Sequence, residues 1–280
     1  MRLDSVARRY LPAKLRQSVG CWSLNTVSHN SWTLQAYIRL LHGYRADNLT
    51  VRNGCTMYRY RDRVIKAPIN AAGVFLEIFV DNVYDGVLPR KGDIAIDVGA
   101  YVGMWSVKAA LLVGQCGTVV AVEPDSRNVE WLVDNVRGLP VIVAPVIASD
   151  KNGVEKLYVS DISSCNSTVY KQNRSVELFA RTIDQIAIDE HLPHVDFIKV
   201  DAEGAELKIL QGAIKTLTNN NVQLAIASYH ETAAGVPEVE EVVSFLEQAG
   251  YETWHTDGLR RYTYARKQEY LVRRQLHDRK

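Results

Sequence analysis

From Lys91 onward the chain alternates short β-branched runs with helical segments, and this alternation restricts the fold more than any other feature. Strands are expected at Ile94 to Val98, Thr118 to Val122, Val141 to Ala144, Phe197 to Val200, Val222 to Ala227 and Tyr251 to His255. Helices are expected at Trp105 to Val113, Ser126 to Val136, Ala205 to Leu217 and Glu238 to Ala249. Such a pattern predicts a parallel sheet with helices on both faces. The runs "DIAIDV", "TVVAV", "DFIKV" and "VQLAIA" are apolar at most positions, as burial on both sides of a sheet requires. After the last helix, "YETWHTDGLRRYTYA" reads as two strands around Asp257-Gly258, an antiparallel edge hairpin.

Ahead of this pattern lies a region of different character. Leu3, Val6, Ala7, Tyr10 and Leu11 recur at helical spacing among Arg2, Arg8, Arg9, Lys14 and Arg16, a basic amphipathic start. Packing of the apolar face on its own domain is the ordinary use of such a helix, and peripheral contact with an anionic membrane and organelle targeting are the alternatives. Trp32 to His42 reads as a second helix, and "LTVRNGCTMYRYRDRVIKA" reads as a hairpin turning at Asn53-Gly54. Residues 1–75 are therefore expected to form a helical and hairpin cap, residues 76–265 the main domain, and residues 266–280 a charged tail.

With Lys+Arg at 33 against Asp+Glu at 32, the chain gives no strong nucleic-acid signal. Cys21, Cys55, Cys116 and Cys165 form no CxxC pair and read as reduced thiols of a cytoplasmic protein. No apolar run approaches the roughly 18 residues of a membrane span.

The stretch "DIAIDVGAYVGMW" runs a buried strand into a glycine turn, the position where open parallel sheets collect ligands. A dinucleotide fingerprint needs G-x-G-x-x-G, and here Tyr101 stands where the second glycine would admit pyrophosphate. The pattern Asp97-x-Gly99-x-x-x-Gly103 instead suits a ligand with a positive sulfonium and an amino group, S-adenosylmethionine (SAM). Asp97 is expected to hold its amino acid part, with Gly99, Ala100, Tyr101 and Gly103 forming the turn around it. Glu123 ends the next strand about 20 residues later, the spacing of an acid that accepts ribose hydroxyls. In "VIASDKNG", read as a loop, the backbone of Ala148 and the side chain of Asp150 are candidates for an adenine edge, although turn chemistry accounts equally well for Ser149-Asp150.

The segment "VDFIKVDAEGAELKILQGA" places Asp201 at a strand end, then Glu203, Gly204 and Glu206 before a helix. Helix-dipole stabilisation explains one of these glutamates, at about 0.3 to 1 kcal/mol. It leaves unexplained Asp201 beside the proposed pocket and Lys199 inside an apolar strand, which is costly unless paired.

Taken in order, "IDVGAYVGMWS", "VVAVEPDSRNVEWLVDNV", "ARTIDQIA", "VDFIKVDAEGAELKILQGA" and "LAIASYHE" resemble the FkbM family of SAM-dependent methyltransferases over about Leu76 to His230. The K-x-D-x-E-G-x-E element at Lys199, Asp201, Glu203, Gly204 and Glu206 is the most specific part of the resemblance, and Thr182-Ile183-Asp184 matches the family's threonine, aliphatic, aspartate step. The resemblance implies an α/β class I methyltransferase fold: a Rossmann-like, mostly parallel sheet of seven strands with one antiparallel. It also implies SAM-dependent methyl transfer to a hydroxyl, with sugars, glycolipids and small molecules as acceptors. Ser228 stands where family members often carry an acidic residue.

Methyl transfer to an alcohol requires donor and acceptor in line and a group to take the hydroxyl proton. His230 is the expected base, with Asp201 and Glu203 as competing bases. Asp201, Glu203 and His230 also offer the oxygen and imidazole ligands that suit magnesium or manganese, an arrangement the spacing does not enforce. The competing readings are an NAD-dependent oxidoreductase, a SAM-binding sensor domain without chemistry, and an RNA methyltransferase.

Overall fold

The computed structural model describes residues 48–52, 55–68, 71–160, 164, 166–231, 236, 238–256 and 260–267. The expected N-terminal helices, the Asn53-Gly54 and Asp257-Gly258 turns and most of the charged tail lie outside the described residues. The chain divides into two compact units, Met1–Asn82 and Val83–Lys280.

In the first unit, β1 (Leu49–Arg52), β2 (Cys55–Tyr60) and β3 (Arg63–Pro68) form a three-stranded antiparallel sheet. The expected hairpin thus gains a third strand, because Arg61 adopts a left-handed φ of 54° and reverses the chain again at once. Helix α1 (Ala72–Phe79), which the sequence pattern did not announce, follows. Its Phe75 and Phe79 stack on Tyr58 with ring centroids 5.5 and 4.6 Å apart, an aromatic contact that joins helix to sheet.

The second unit is built on β4 (Ile94–Val98), α2 (Met104–Val113), β5 (Thr118–Val122), α3 (Ser126–Asn135) and β6 (Val141–Ala144). There follow β7 (Ile147–Ala148), β8 (Gly153–Val159), β9 (Arg174–Arg181), α4 (Ile183–Asp189), β10 (Phe197–Val200), α5 (Glu206–Gln211) and α6 (Ile214–Asn219). The unit closes with β11 (Gln223–Ile226), α7 (Val239–Gln248), β12 (Tyr251–His255) and β13 (Thr263–Lys267). The seven-stranded sheet has the order β12-β13-β11-β10-β4-β5-β6, and only β13 runs antiparallel to its neighbours. This is the α/β class I methyltransferase topology expected above. The chain leaves β4 toward β5 and β6, then returns to lay β10 on the other side of β4. Strand order therefore reverses between β4 and β10, and the carboxyl ends of these two strands define the crevice where such sheets bind ligands.

Burial explains why the strands form. β4, β10 and β11 are buried at every position, and Ile96, Val98, Val120, Ile198, Val200, Leu224 and Ile226 join one apolar core. Two elements differ from the sequence pattern. "VIASDKNG" is not wholly loop: Ile147 and Ala148 pair with Ala180 and Arg181 in a second sheet of order β7-β9-β8. The helix expected over Ala205 to Leu217 is two helices, α5 and α6, separated at Gly212-Ala213. A Cβ at Gly212 would lie 2.1 Å from the carbonyl oxygen of Ser149, so the backbone there is pinned against a neighbouring loop. Asp184 then starts α6 from outside, accepting from the N–H groups of Lys215 (3.0 Å) and Thr216 (2.8 Å) and from the Thr216 hydroxyl (2.7 Å). Thr182 caps α4 by accepting from the Gln185 N–H. The threonine, aliphatic, aspartate step is thus a joint that starts two helices.

Asp184→Ala is expected to lower unfolding free energy by about 1 to 2 kcal/mol, the range of a lost helix cap, measured by urea denaturation. Asp184→Asn, which keeps one acceptor oxygen, is expected to lose less.

Candidate functional site

The turn after β4 is held in an unusual conformation. Gly99, Tyr101 and Gly103 all have left-handed φ, at 70°, 54° and 86°. A Cβ at Gly99 would sit 1.8 Å from the carbonyl oxygen of Asp201, so only glycine lets the turn meet the chain leaving β10. Tyr101 has a side chain in a region that costs about 1 to 2 kcal/mol, and a buried carboxylate holds it there. The Tyr101 N–H donates to Glu123 Oε2 at 2.9 Å, while Glu123 Oε1 accepts from the Asp125 N–H (3.0 Å) and Asn128 Nδ2 (3.1 Å). Glu123 is 5% exposed. Burial pushes its carboxyl up to about 7, against the opposing pull of these hydrogen bonds. The acid expected to face a ribose therefore also fastens the turn, and Asn128 joins it.

Asp97 is placed differently from expectation. It is fully buried inside β4, directly opposite Lys199 of β10 in the strand register. Lys199 Nζ lies 3.1 Å from Asp97 Oδ1 and directs its protons to the carbonyls of Val98 (3.2 Å) and Gly99 (3.0 Å). Ser106 Oγ donates to Asp97 Oδ2 at 2.6 Å. A carboxylate engaged in this way supports the turn from beneath rather than presenting itself to a ligand's amino group. The buried lysine flagged by the sequence thereby has its partner.

Beyond Gly99 the loop from Asp201 to Glu206 reverses through Glu203 (φ 51°) and Gly204 (φ 92°). Glu206 is fully buried and clasps this loop, accepting from the N–H groups of Ala202 (2.9 Å) and Gly204 (3.0 Å). Its Oε1 also meets His230 Nδ1 at 2.7 Å. His230 Nε2 faces Asp201 Oδ1 at 3.9 Å and Glu203 Oε2 at 3.7 Å. The structure thus brings Asp201, Glu203 and His230 together beside the turn. Tyr84 hydroxyl donates to Asp201 Oδ2 at 2.5 Å, and Glu238 accepts from the Leu207 N–H. Neither Tyr84 nor Glu238 carried a motif that could have revealed it.

Electrostatics reassign the proton. Burial lowers the affinity of His230 for a proton, but Glu206, Glu203 and Asp201 together outweigh it and raise the pKa to about 10. A ring that holds its proton so tightly is poorly suited to the general-base role expected of His230, which leaves Asp201 and Glu203 as the candidate bases. For Asp201, burial is likewise outweighed, by Lys199, His230, Tyr84 and Arg260, which hold its carboxyl below the ordinary value. Glu238 is pushed up to about 8 by burial and by the negative charge of Glu206.

Asp150, expected near an adenine edge, is exposed and accepts from Ser149 Oγ (3.0 Å), with Lys208 Nζ at 3.7 Å. Lys208 also pairs with Glu155 at 2.6 Å, so Asp150 belongs to a charged cluster where β8 meets α5. Ala148 is buried in β7. Ser228 is buried and bonds Thr263 Oγ1 (2.7 Å) and the Arg261 carbonyl (3.0 Å), which ties the end of β11 to β13.

A sequence model of the methyltransferase FkbM domain matches residues 97–253, a span that holds the turn, Glu123 and the Asp201 to His230 cluster. The chain belongs to this family. Among solved structures it is similar to an FkbM methyltransferase from Methylobacillus flagellatus, with 17% identity and a TM-score of 0.48 over 71% of this chain and 54% of that one. The chain therefore spans about half the length of that relative. It is also similar to a putative rRNA methylase from Clostridium thermocellum (13% identity, 67% of this chain and 94% of that one, TM-score 0.45). A SAM-dependent methyltransferase from Aquifex aeolicus shows 19% identity over 69% of this chain and 91% of that one, with a TM-score of 0.39. No curated protein sequence is similar enough to match.

In this FkbM domain, Glu123, Glu238 and His230 hold protons more tightly folded than unfolded. Their contribution to stability is complete below pH 4.5 for the glutamates and below 6.5 for the histidine, and is lost as pH rises through about 7, 8 and 10. Asp201 and Asp125, with lowered pKa, act oppositely and only in acid. The melting temperature is therefore expected to fall between pH 6.5 and 10, and His230→Gln to flatten the upper part of that fall. A flat wild-type profile would contradict the assignment.

Proposed function

We propose that this FkbM domain is a SAM-dependent O-methyltransferase acting on a hydroxyl of a small molecule, sugar or glycolipid. The observation that carries this reading is the contact of Gly99 with the Asp201 carbonyl, which sets the glycine turn against the Asp201, Glu203 and His230 cluster. A cofactor pocket and a proton-accepting group on one crevice are what methyl transfer to oxygen needs.

The residues fit SAM by their chemistry. Glu123 places a carboxyl group at the end of β5, and the Asp201 and Glu203 carboxylates outnumber the one imidazole they face. That donor set favours a sulfonium and an ammonium over a pyrophosphate, and Tyr101 occupies the position a dinucleotide fold reserves for glycine. The residues that would hold SAM are Gly99, Ala100, Tyr101 and Gly103 of the turn, with Glu123 and Asp201. Bound SAM supplies a methyl group made electrophilic by its sulfonium. One carboxylate, Asp201 Oδ1 or Glu203 Oε2, accepts the single proton of the acceptor hydroxyl, and the imidazolium of His230 keeps Asp201 ionised. Glu206 and Tyr84 fix the positions of His230 and Asp201.

Titration calorimetry with SAM is expected to show one site per chain, and Glu123→Gln to weaken it by about tenfold, the worth of one charge-assisted hydrogen bond. NADH is expected not to bind. Absence of SAM heat at millimolar ligand would overturn the reading. Methyl-labelled SAM and host extract should then label a glycan, lipid or small-molecule fraction. Label in RNA would overturn the acceptor class, and bound SAM without labelled product would favour a sensor.

A further inference from the structure

We infer that Asp201 Oδ1, Glu203 Oε2 and His230 Nε2 form a binding site for one divalent cation with a preference for oxygen and imidazole ligands. His230 is 5% exposed, and its Nε2 is buried with no hydrogen-bond partner. A buried polar atom left in this state is costly unless something not yet in place completes it. The atom is aimed between two carboxylate oxygens, at 3.9 Å from Asp201 and 3.7 Å from Glu203. Adjacent ligands of an octahedral magnesium or manganese ion, each about 2.1 Å from the metal, stand about 3 Å apart. Each carboxylate therefore needs to close by about 1 Å. Their side chains are 28% and 24% exposed, which leaves them room to move and leaves the ion a path from solvent.

The surroundings of the imidazole match those of a metal ligand. Metal-binding histidines usually donate their other ring N–H to a carboxylate, which fixes the tautomer and aims the free nitrogen. Glu206 does this here, with Oε1 at 2.7 Å from Nδ1, and is itself immobilised by the N–H groups of Ala202 and Gly204. Asp201, Glu206 and His230 each bring a side-chain atom within 4.8 Å of the others, so Glu206 holds the imidazole close to Asp201, and Glu203 Oε2 completes the set at 3.7 Å from Nε2. Tyr84 holds the second oxygen of Asp201 and leaves Oδ1 for the cation. Two carboxylates and one imidazole suit magnesium or manganese; binding would displace the Nε2 proton to solvent, and the remaining positions stay open to water or to an acceptor oxygen. In that role, which rests on the methyl-transfer reading, the ion would hold the acceptor hydroxyl and ease loss of its proton to solvent or carboxylate. The site itself does not rest on that reading.

The test is calorimetry of the EDTA-treated full chain with MnCl2, paired with loss of the free Mn2+ electron paramagnetic resonance signal. One Mn2+ per chain is expected. Asp201→Asn, Glu203→Gln and His230→Gln are each expected to weaken Mn2+ binding by about tenfold or more, and Asp134→Asn, on the surface of α3, to leave it unchanged. Circular dichroism and melting temperature establish that each variant is folded. The partly exposed Glu203→Gln keeps the test available should His230→Gln fail to fold. Absence of Mn2+ binding to the folded wild type at millimolar ion would overturn the site, leaving an imidazolium paired with carboxylates. Equal binding by Glu203→Gln and Asp201→Asn would also overturn it. SAM titrated into the same EDTA-treated chain separates the two readings: SAM binding without Mn2+ binding removes only the cation site. Mn2+ binding without SAM binding supports the site and removes only the methyl-transfer reading.

Discussion

The pairing of Asp97 with Lys199 governs the centre of this domain. The two residues are directly opposite on β4 and β10, the strands between which the sheet changes direction, and both are buried. A buried ion pair adds little net stability, because desolvation offsets the attraction, but a buried charge without its partner costs several kcal/mol. A slip of one residue between β4 and β10 would set Asp97 against Ile198 or Val200 and leave both charges unmatched. The pair thus fixes register where the crevice forms. Because Lys199 also donates to the carbonyls of Val98 and Gly99, the same charge ends β4 and anchors the turn above it.

Two loops meet over this anchor, and each is clasped by a buried glutamate. Glu123 accepts from backbone at Tyr101 and Asp125, and Glu206 from backbone at Ala202 and Gly204. Each loop contains a non-glycine residue with left-handed φ, Tyr101 in one and Glu203 in the other. Strain of this kind persists only where the surroundings over-determine it, and charge-assisted bonds to backbone N–H groups are strong enough to do so. The contact of Gly99 with the Asp201 carbonyl then joins the loops directly, so that a change in one is felt in the other.

The centre of the sheet was legible in the sequence because β4, β10 and β11 are buried throughout and β5 at all but its first residue, so they read as continuous apolar runs. Ile94–Val98, Thr118–Val122, Val141–Ala144, Phe197–Val200 and Tyr251–His255 appear where the pattern placed them. The break between α5 and α6 was not legible, since it is imposed by Asp184 and Ser149, remote in sequence from Gly212. The sheet of β7, β8 and β9 was hidden because most of β8 and β9 is exposed or half-buried, which removes the apolar signal. At the site, strand-end acids and His230 could be located from position alone. Their roles could not, because Asp97 facing inward and His230 holding a proton depend on neighbours from other strands. Tyr84 lies in an irregular segment whose sequence gives no sign of the aspartate it meets.

One physical cause links the proton on His230, the sulfonium of the proposed cofactor and the inferred cation. Asp201, Glu203 and Glu206 converge on a single imidazole, while Lys199, bonded to Asp97 and to two carbonyls, acts on Asp201 only through its field. Arg260, stacked over Tyr229, acts on Asp201 from the rim. Three carboxylates thus share one imidazole, in surroundings where charge is expensive to bury. A proton on His230 is the smallest remedy. A divalent ion at Nε2, as inferred, would take that proton's place and bring one more positive charge to the same oxygens. A sulfonium bound across the turn, as proposed, would be stabilised by the same field without entering the cluster, and the same carboxylates would then serve donor and acceptor sides together.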